Sequence, residues 1–138
     1  MPVSYTILKD LDVVYVRYWG RASMAEGMKC FGDYLAHPDA HAGQKQLVDL
    51  SAVTVPISDY ADAMKFMARM ADMFHEAAPQ TLLVCYAPHE IARQSAFVGL
   101  RSWAGVDHVV FRVMDDEAAA LRFLGLPVDS IAELLASA

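Results

Sequence analysis

The chain reads as an α/β protein: a five-stranded, mixed but mostly parallel sheet, opened by an N-terminal β-hairpin and dressed with four to five helices. Three observations carry that reading. Two runs rich in Val, Ile, Tyr and Thr, Val3 to Lys9 and Val13 to Trp19, flank Asp10-Leu11-Asp12, the pattern of a hairpin. Three further short apolar runs each lead into a helical pattern, and alternating strand and helix argues for parallel strands joined by right-handed crossovers. Leu82-Leu83-Val84-Cys85 runs without polar alternation, as a strand covered on both faces does.

Taken in order, the second hairpin run places Val14, Val16 and Tyr18 on one face and Val13, Tyr15, Arg17 and Trp19 on the other, so both faces are mostly apolar, and Gly20 ends it. Ser23-Met24-Ala25-Glu26 has capping-box spacing, and Met24, Met28, Phe31 and Leu35 recur behind it until His37-Pro38 stops the helix. His37 and His41 then fall in a polar connector. Lys45 to Leu50, Thr81 to Tyr86 and His108 to Val113 supply the remaining strands. Pro88 suits the first turn of a helix carrying Ile91, Phe97, Val98, Leu100 and Trp103, with Gly105 as its stop. Asp115, Asp116 and Glu117 suit a helix start, Gly125-Leu126-Pro127 its end, and a last short helix begins at Asp129 or Ser130 with Glu133 in capping-box position.

The stretch from Gln46 to Ala78 dominates the pattern: a buried strand ending in Asp49-Leu50-Ser51, a loop carrying Pro56, and a long helix loaded with Met and Phe. Ser58 is the expected N-cap, with Asp59 and Asp62 in the first turn. Tyr60, Ala63, Met64, Met67, Met70, Ala71 and Phe74 form one core-facing stripe, opposite Asp62, Lys65, Arg69, Asp72 and Glu76. Phe66 and Met73 widen the apolar stripe along one flank, which suits a homodimer interface or the wall of a pocket for a hydrophobic ligand. Tyr15 and Trp19 either join such a surface or fill the core.

A length of 138 residues suits a single domain, 1–138, and 56% apolar with 20% charged residues places the chain among ordered globular proteins. A net charge of −6, with Lys and Arg scattered over different elements, speaks against nucleic-acid binding and against attraction to anionic membranes. Cys30 and Cys85 sit in a helix and a buried strand and read as reduced core residues. With no signal-peptide pattern and no apolar run of membrane-spanning length, membrane insertion is not expected and the cytoplasm is the expected location.

The hairpin, the VDLSAVTVPIS segment, the Met-rich helix, TLLVCYAP and the closing DDEAAALRFLGLP together resemble the SpoIIAA-like proteins, within the wider group of STAS-like domains named from sulphate transporters and anti-sigma factor antagonists. The resemblance spans nearly the whole chain and rests on pattern rather than on a catalytic motif. It implies a (βα) superhelix with helices largely on one face of the sheet, an architecture shared with the lipid-carrying CRAL-TRIO domains. In the antagonists, an Asp-Leu-Ser-like strand end leads to a Ser or Thr that a partner kinase phosphorylates. Up to about two negative charges then appear in a partner-facing loop. Where the antagonists tend to read Asp-Ser-Ser-Gly, this chain has Ile57-Ser58-Asp59-Tyr60-Ala61. Asp59 and Asp62 would repel a phosphate on Ser58, which weakens the serine-phosphoswitch reading and favours helix capping.

Beyond the carboxyl ends of the strands, where ligands gather in parallel sheets, the topology should collect Asp49, Ser51 and Ser58, then His89 and Glu90, then Asp115 and Asp116. A Ser-His-Asp hydrolase using His89 can be written from these residues, but without a G-x-S-x-G elbow. His89-Glu90 with either late Asp has no diagnostic metal spacing, and no glycine-rich phosphate loop is present, so neither metal nor cofactor is assigned. The expectation is a non-enzymatic STAS-like regulatory or protein-interaction module, forming a homodimer. Asp49, Ser51, Ser58, Asp59, Phe66, Met67, Met70, Met73, Phe74 and His89 are the candidate ligand- or partner-binding residues. The alternatives are a carrier or sensor of a hydrophobic, lipid-like small molecule and a small hydrolase.

Overall fold

In the computed structural model, which describes residues 2–71, 80–102 and 109–137, the elements follow the order β1 (Val3–Leu8), β2 (Val13–Gly20), α1 (Met24–Leu35), β3 (Lys45–Val53), α2 (Tyr60–Ala71), β4 (Thr81–Tyr86), α3 (Glu90–Ser102), β5 (Val109–Met114), α4 (Glu117–Phe123) and α5 (Ile131–Ala136). The strands lie in sequence order across one mixed sheet, β1-β2-β3-β4-β5. The β1–β2 pair is antiparallel and the other three pairs are parallel. The α/β class and the five-stranded mixed sheet agree with the sequence pattern.

Because each parallel connection steps to the adjacent strand in the same direction, crossovers of one hand lay α1, α2 and α3 on one face. Val16, Tyr18, Leu50, Leu83, Cys85 and Phe111 project into the core beneath them. The alternate residues Val13, Tyr15, Leu47 and Val84 face the other way, where α4 and α5 cover them with Leu121, Leu124, Ile131 and Leu134. Two-sided coverage is why these strands show no polar alternation.

Helix boundaries follow local chemistry. Ser23 caps α1 by accepting the Glu26 N–H at 3.2 Å, and Ser130 does the same for Glu133 at 3.1 Å in α5. At the end of α4, Gly125 has φ +71°, and the Leu126 and Gly125 N–H groups return to the Leu121 and Arg122 carbonyls, a Schellman closure.

The helices bury small residues and leave some large apolar ones outside, among them Leu35 and Met64 of the expected stripes. In α1 the buried line is Gly27, Cys30 and Tyr34, while Leu35 is exposed. In α2, Ala63 is buried and Met64 is 39% exposed. In α3, Ala92, Ser95 and Ala96 face the sheet and Phe97 is 48% exposed. Small residues win on α3 because the helix lies close to β5: a Cβ on Gly99 would stand 3.3 Å from the Phe111 ring. The first strand ends at Leu8, followed by a 3-10 turn, Lys9–Leu11. β3 runs three residues past Leu50, so Ser51 belongs to the strand and not to a loop. The expected helix end at Gly105, Trp103 and the strand start at His108 lie outside the described residues.

The hairpin turn is fixed at Asp12, whose φ of +54° is tolerated by Asp better than by most residues. Its Oδ1 meets His41 Nε2 at 2.5 Å, so the connector before β3 is fastened to the turn rather than free in solvent. That hydrogen bond, followed by one to the Ala42 carbonyl, raises the His41 pKa above its ordinary 6.5. A raised folded-state pKa contributes stability that is fully present below the unfolded value and lost as pH rises through the folded one. His41→Gln should therefore lower the melting temperature more at about pH 5.5 than at about pH 9. Both side chains are about half exposed, so the effect will be small. A deficit that grows with pH would contradict the pairing.

Leu121 is fully buried, whereas Leu135 is 39% exposed on the neighbouring α5. Leu121→Ala should cost about 2–5 kcal/mol in urea unfolding. Leu135→Ala should stay within about 0.5 kcal/mol.

Candidate functional site

At the carboxyl end of β3 the residues Asp49-Leu50-Ser51 build a bulge. Arg17 pairs with Asp49 but Trp19 pairs with Ala52, so β3 carries one extra residue against β2. The side chain of Asp49 stabilises this irregularity by accepting the Ser51 N–H at 2.9 Å and the Ser51 hydroxyl at 2.6 Å on Oδ1. Its second oxygen accepts the Tyr15 hydroxyl at 2.5 Å. Asp49 and Tyr15 are both buried, and burial first, then the bond to Asp49, push the Tyr15 phenol pKa upward and keep it a donor. A buried carboxylate is held here by three donors.

His89 stands at the N-cap of α3. The Ala92 N–H donates to Nδ1 at 3.2 Å, which assigns the ring proton to Nε2, and Nε2 donates to the Ser51 carbonyl at 2.9 Å. Both ring nitrogens are thus occupied in tying α3 to the end of β3. Asp59 is the N-cap of α2 through its backbone, with the Ala63 N–H on its carbonyl at 3.1 Å, and its carboxylate reaches the Met24 N–H of α1 at 3.3 Å. Ser58, the expected cap, is exposed one residue before. Asp116 caps α4 by accepting the Ala119 N–H at 2.9 Å, and Glu117 accepts the Ile131 N–H of α5.

The candidate residues Asp49, Ser51 and His89 therefore come together, and Asp59 joins the helix ends nearby, but these groups spend their hydrogen bonds on one another and on backbone. Phe66, Met67 and Met70 fall within α2, while their side chains and the whole of Met73 and Phe74 lie outside the described residues. Among the described residues, no group of three or more His, Cys, Asp or Glu is placed to hold a metal ion, and no helix is long and apolar enough to cross a membrane.

Unspent space lies on the other side of the sheet. Between the strands and α1–α3 is a cavity of about 100 Å³. Val48, Leu50 and Leu83 form part of its floor, Met24 and Phe31 of α1 one side, and Ala96 and Gly99 of α3 the other. Among the described residues, no Asp, Glu, Lys, Arg or His lines it. The two cysteines do, both free, and burial pushes the Cys30 thiol up to about 11 and the Cys85 thiol up to about 12. Neutral thiols of this kind are poor nucleophiles and behave as small apolar groups. The phenol of Tyr18, likewise raised by burial and by the two nearby thiols, completes the polar-tipped part of the wall.

Helical periodicity pointed to the Met-rich helix and missed the α1 wall. One signal was available: Gln46 occupies the helix-facing side of a strand whose other residues on that side, Val48 and Leu50, are apolar. No family model matches this chain, and no curated protein or solved structure matches it.

If the Asp49 carboxylate organises the bulge, Tyr15→Phe should cost about 1.5–3 kcal/mol in urea unfolding, the range for a hydrogen bond to a charged group. An unchanged midpoint would show that the bulge holds without that donor.

Proposed function

We propose that this chain is a non-enzymatic binding module of the SpoIIAA-like, STAS-like kind, whose cue is a small, uncharged, largely apolar molecule taken up between the sheet and the three crossover helices. The observation that carries the proposal is the cavity of about 100 Å³ between the sheet and α1–α3, with no charged side chain among its described lining residues. Protein interiors are close-packed, and an unfilled apolar space costs stability in proportion to its volume. A ligand that fills it returns the lost contacts. For scale, an engineered apolar cavity of roughly 150 Å³ accepts benzene. The volume suits a single ring or a short chain, a smaller guest than the lipid-like ligand of the carrier reading.

The family part of the proposal draws on the VDLSAVTVPIS, TLLVCYAP and DDEAAALRFLGLP segments and on a sheet of adjacent parallel strands following a hairpin, the order a (βα) superhelix requires. The regulatory part draws on α2 and α3. Both border the cavity through Ala63, Ala96 and Gly99, and both turn an apolar residue outward, Met64 and Phe97. Filling the cavity would alter the seat of the helices that present these residues to a protein partner or a second copy. The hydrolase reading gains no support from His89, whose Nε2 meets a backbone carbonyl rather than a serine hydroxyl.

Native mass spectrometry of the protein purified from its own source tests the proposal. We expect a non-covalent adduct of low mass that organic extraction removes, with a melting temperature that falls on extraction and recovers when the extract is returned. Free ligand at a hundredfold excess over Kd would add about 2.7 kcal/mol. Bare protein whose melting temperature is indifferent to extraction would refute it.

A further inference from the structure

The cavity wall carries a buried polar group without a partner among the described residues. Gln46 is 4% exposed, projects from the helix-facing side of β3 and lines the cavity. Its amide nitrogen has no hydrogen-bond partner among the described residues. The flanking strands offer none: its neighbours in register are Val14 on β2 and Leu83 on β4, both buried. Of the other polar side chains of the wall, Tyr18 brings a buried hydroxyl, while Tyr34 and Ser95 are committed elsewhere. The Tyr34 hydroxyl donates to Gln44 at 2.5 Å, and the Ser95 hydroxyl accepts the Ile57 N–H at 2.9 Å while donating to the Ile91 carbonyl at 3.0 Å.

A buried amide without a partner costs stability, and a Leu or Met of similar bulk would avoid that cost. A polar group kept at such a position in an otherwise apolar wall is best accounted for by a bond it makes when the cavity is filled. We propose that Gln46 is the specificity-determining residue of the cavity, and that the ligand it selects is a neutral ring-sized molecule bearing one oxygen, a hydroxyl or carbonyl, that hydrogen-bonds the Gln46 amide. A charged ligand is disfavoured because no charged side chain among the described residues lines the cavity to compensate it. A pure hydrocarbon would leave the amide as costly as before. This inference rests on the proposed cavity ligand and narrows its chemistry.

Phenol and toluene, matched in heavy-atom count and differing in hydroxyl against methyl, are the probes. Their dissociation constants are measured by calorimetry or by chemical-shift titration on the wild type and on Gln46→Met, an unbranched replacement of similar length. Phenol is the better hydrated probe, so the readout is the ratio of the two constants rather than either alone. The expected result is that Gln46→Met shifts the ratio about tenfold toward toluene, as loss of one hydrogen bond to a buried amide would. Both probes binding with an unchanged ratio would overturn the assignment to Gln46 while leaving the cavity reading intact. Binding of neither probe to the wild type would overturn the cavity reading and the assignment with it. A ligand-free readout guards against misfolding: Gln46→Met should unfold at a urea concentration no lower than the wild type. A markedly lower midpoint would mean that the amide already has a partner in the empty protein, and would also overturn the assignment.

Discussion

Each parallel connection in this protein steps to the next strand in the same direction, and that constraint governs the distribution of everything else. Crossovers of one hand place α1, α2 and α3 together on one face of the sheet. The other face is left to the short C-terminal helices α4 and α5. The two cores differ accordingly. The C-terminal side is filled by Leu47, Leu121, Leu124 and Leu134, all almost fully buried. On the other side the largest side chains of the helices do not all turn inward. Gly27, Ala63, Ala92, Ala96 and Gly99 do, so the helices approach the sheet through small residues while Met64 and Phe97 look outward. The cavity is the space that this choice of residues leaves.

Polar side chains hold that space open by pinning the ends of the elements around it. Asp59 joins the loop before α2 to the start of α1, Ser95 joins α3 to the backbone at Ile57, and His89 joins the start of α3 to the end of β3. Asp49 fixes the bulge from which His89 takes its acceptor. Each of these bonds contributes modestly, about 1 kcal/mol between neutral groups and about 1.5–3 kcal/mol to a carboxylate. Together they oppose the inward collapse by which an apolar core would close a void. His89 and Asp49, which the sequence offers to a Ser-His-Asp reading, make hydrogen bonds here between elements of the fold.

Much of the fold was legible because its signals are local. Ser23 with Glu26, Ser130 with Glu133, Asp116 before Ala118 and Gly125 after α4 mark helix ends through bonds spanning a few residues. The strands were legible from β-branched and apolar runs. The strand reading stops at Asp49-Leu50-Ser51, and only the pairing with β2 shows that segment as a bulge inside a longer strand. On α2 the small Ala63 of the expected stripe is buried and the large Met64 is not, and on α3 the close approach to Phe111 selects small residues, a choice that periodicity of large apolar residues does not show. His89 as a tie to β3 and Asp59 as a cross-link to α1 depend on partners 35 or more residues away, beyond the reach of a local pattern. The cavity is less legible still, since it arises from what several elements together fail to fill.

The central claim is that the space beneath α1–α3 is a real, accessible apolar hollow, and diffraction from a crystal pressurised with xenon tests it most directly, because dry apolar cavities of this kind take up xenon. The account predicts a xenon peak bounded by Phe31, Leu50, Cys85 and Ala96, with the surrounding side chains unmoved. No peak there, with Met24 and Phe31 folded into the space instead, would contradict it.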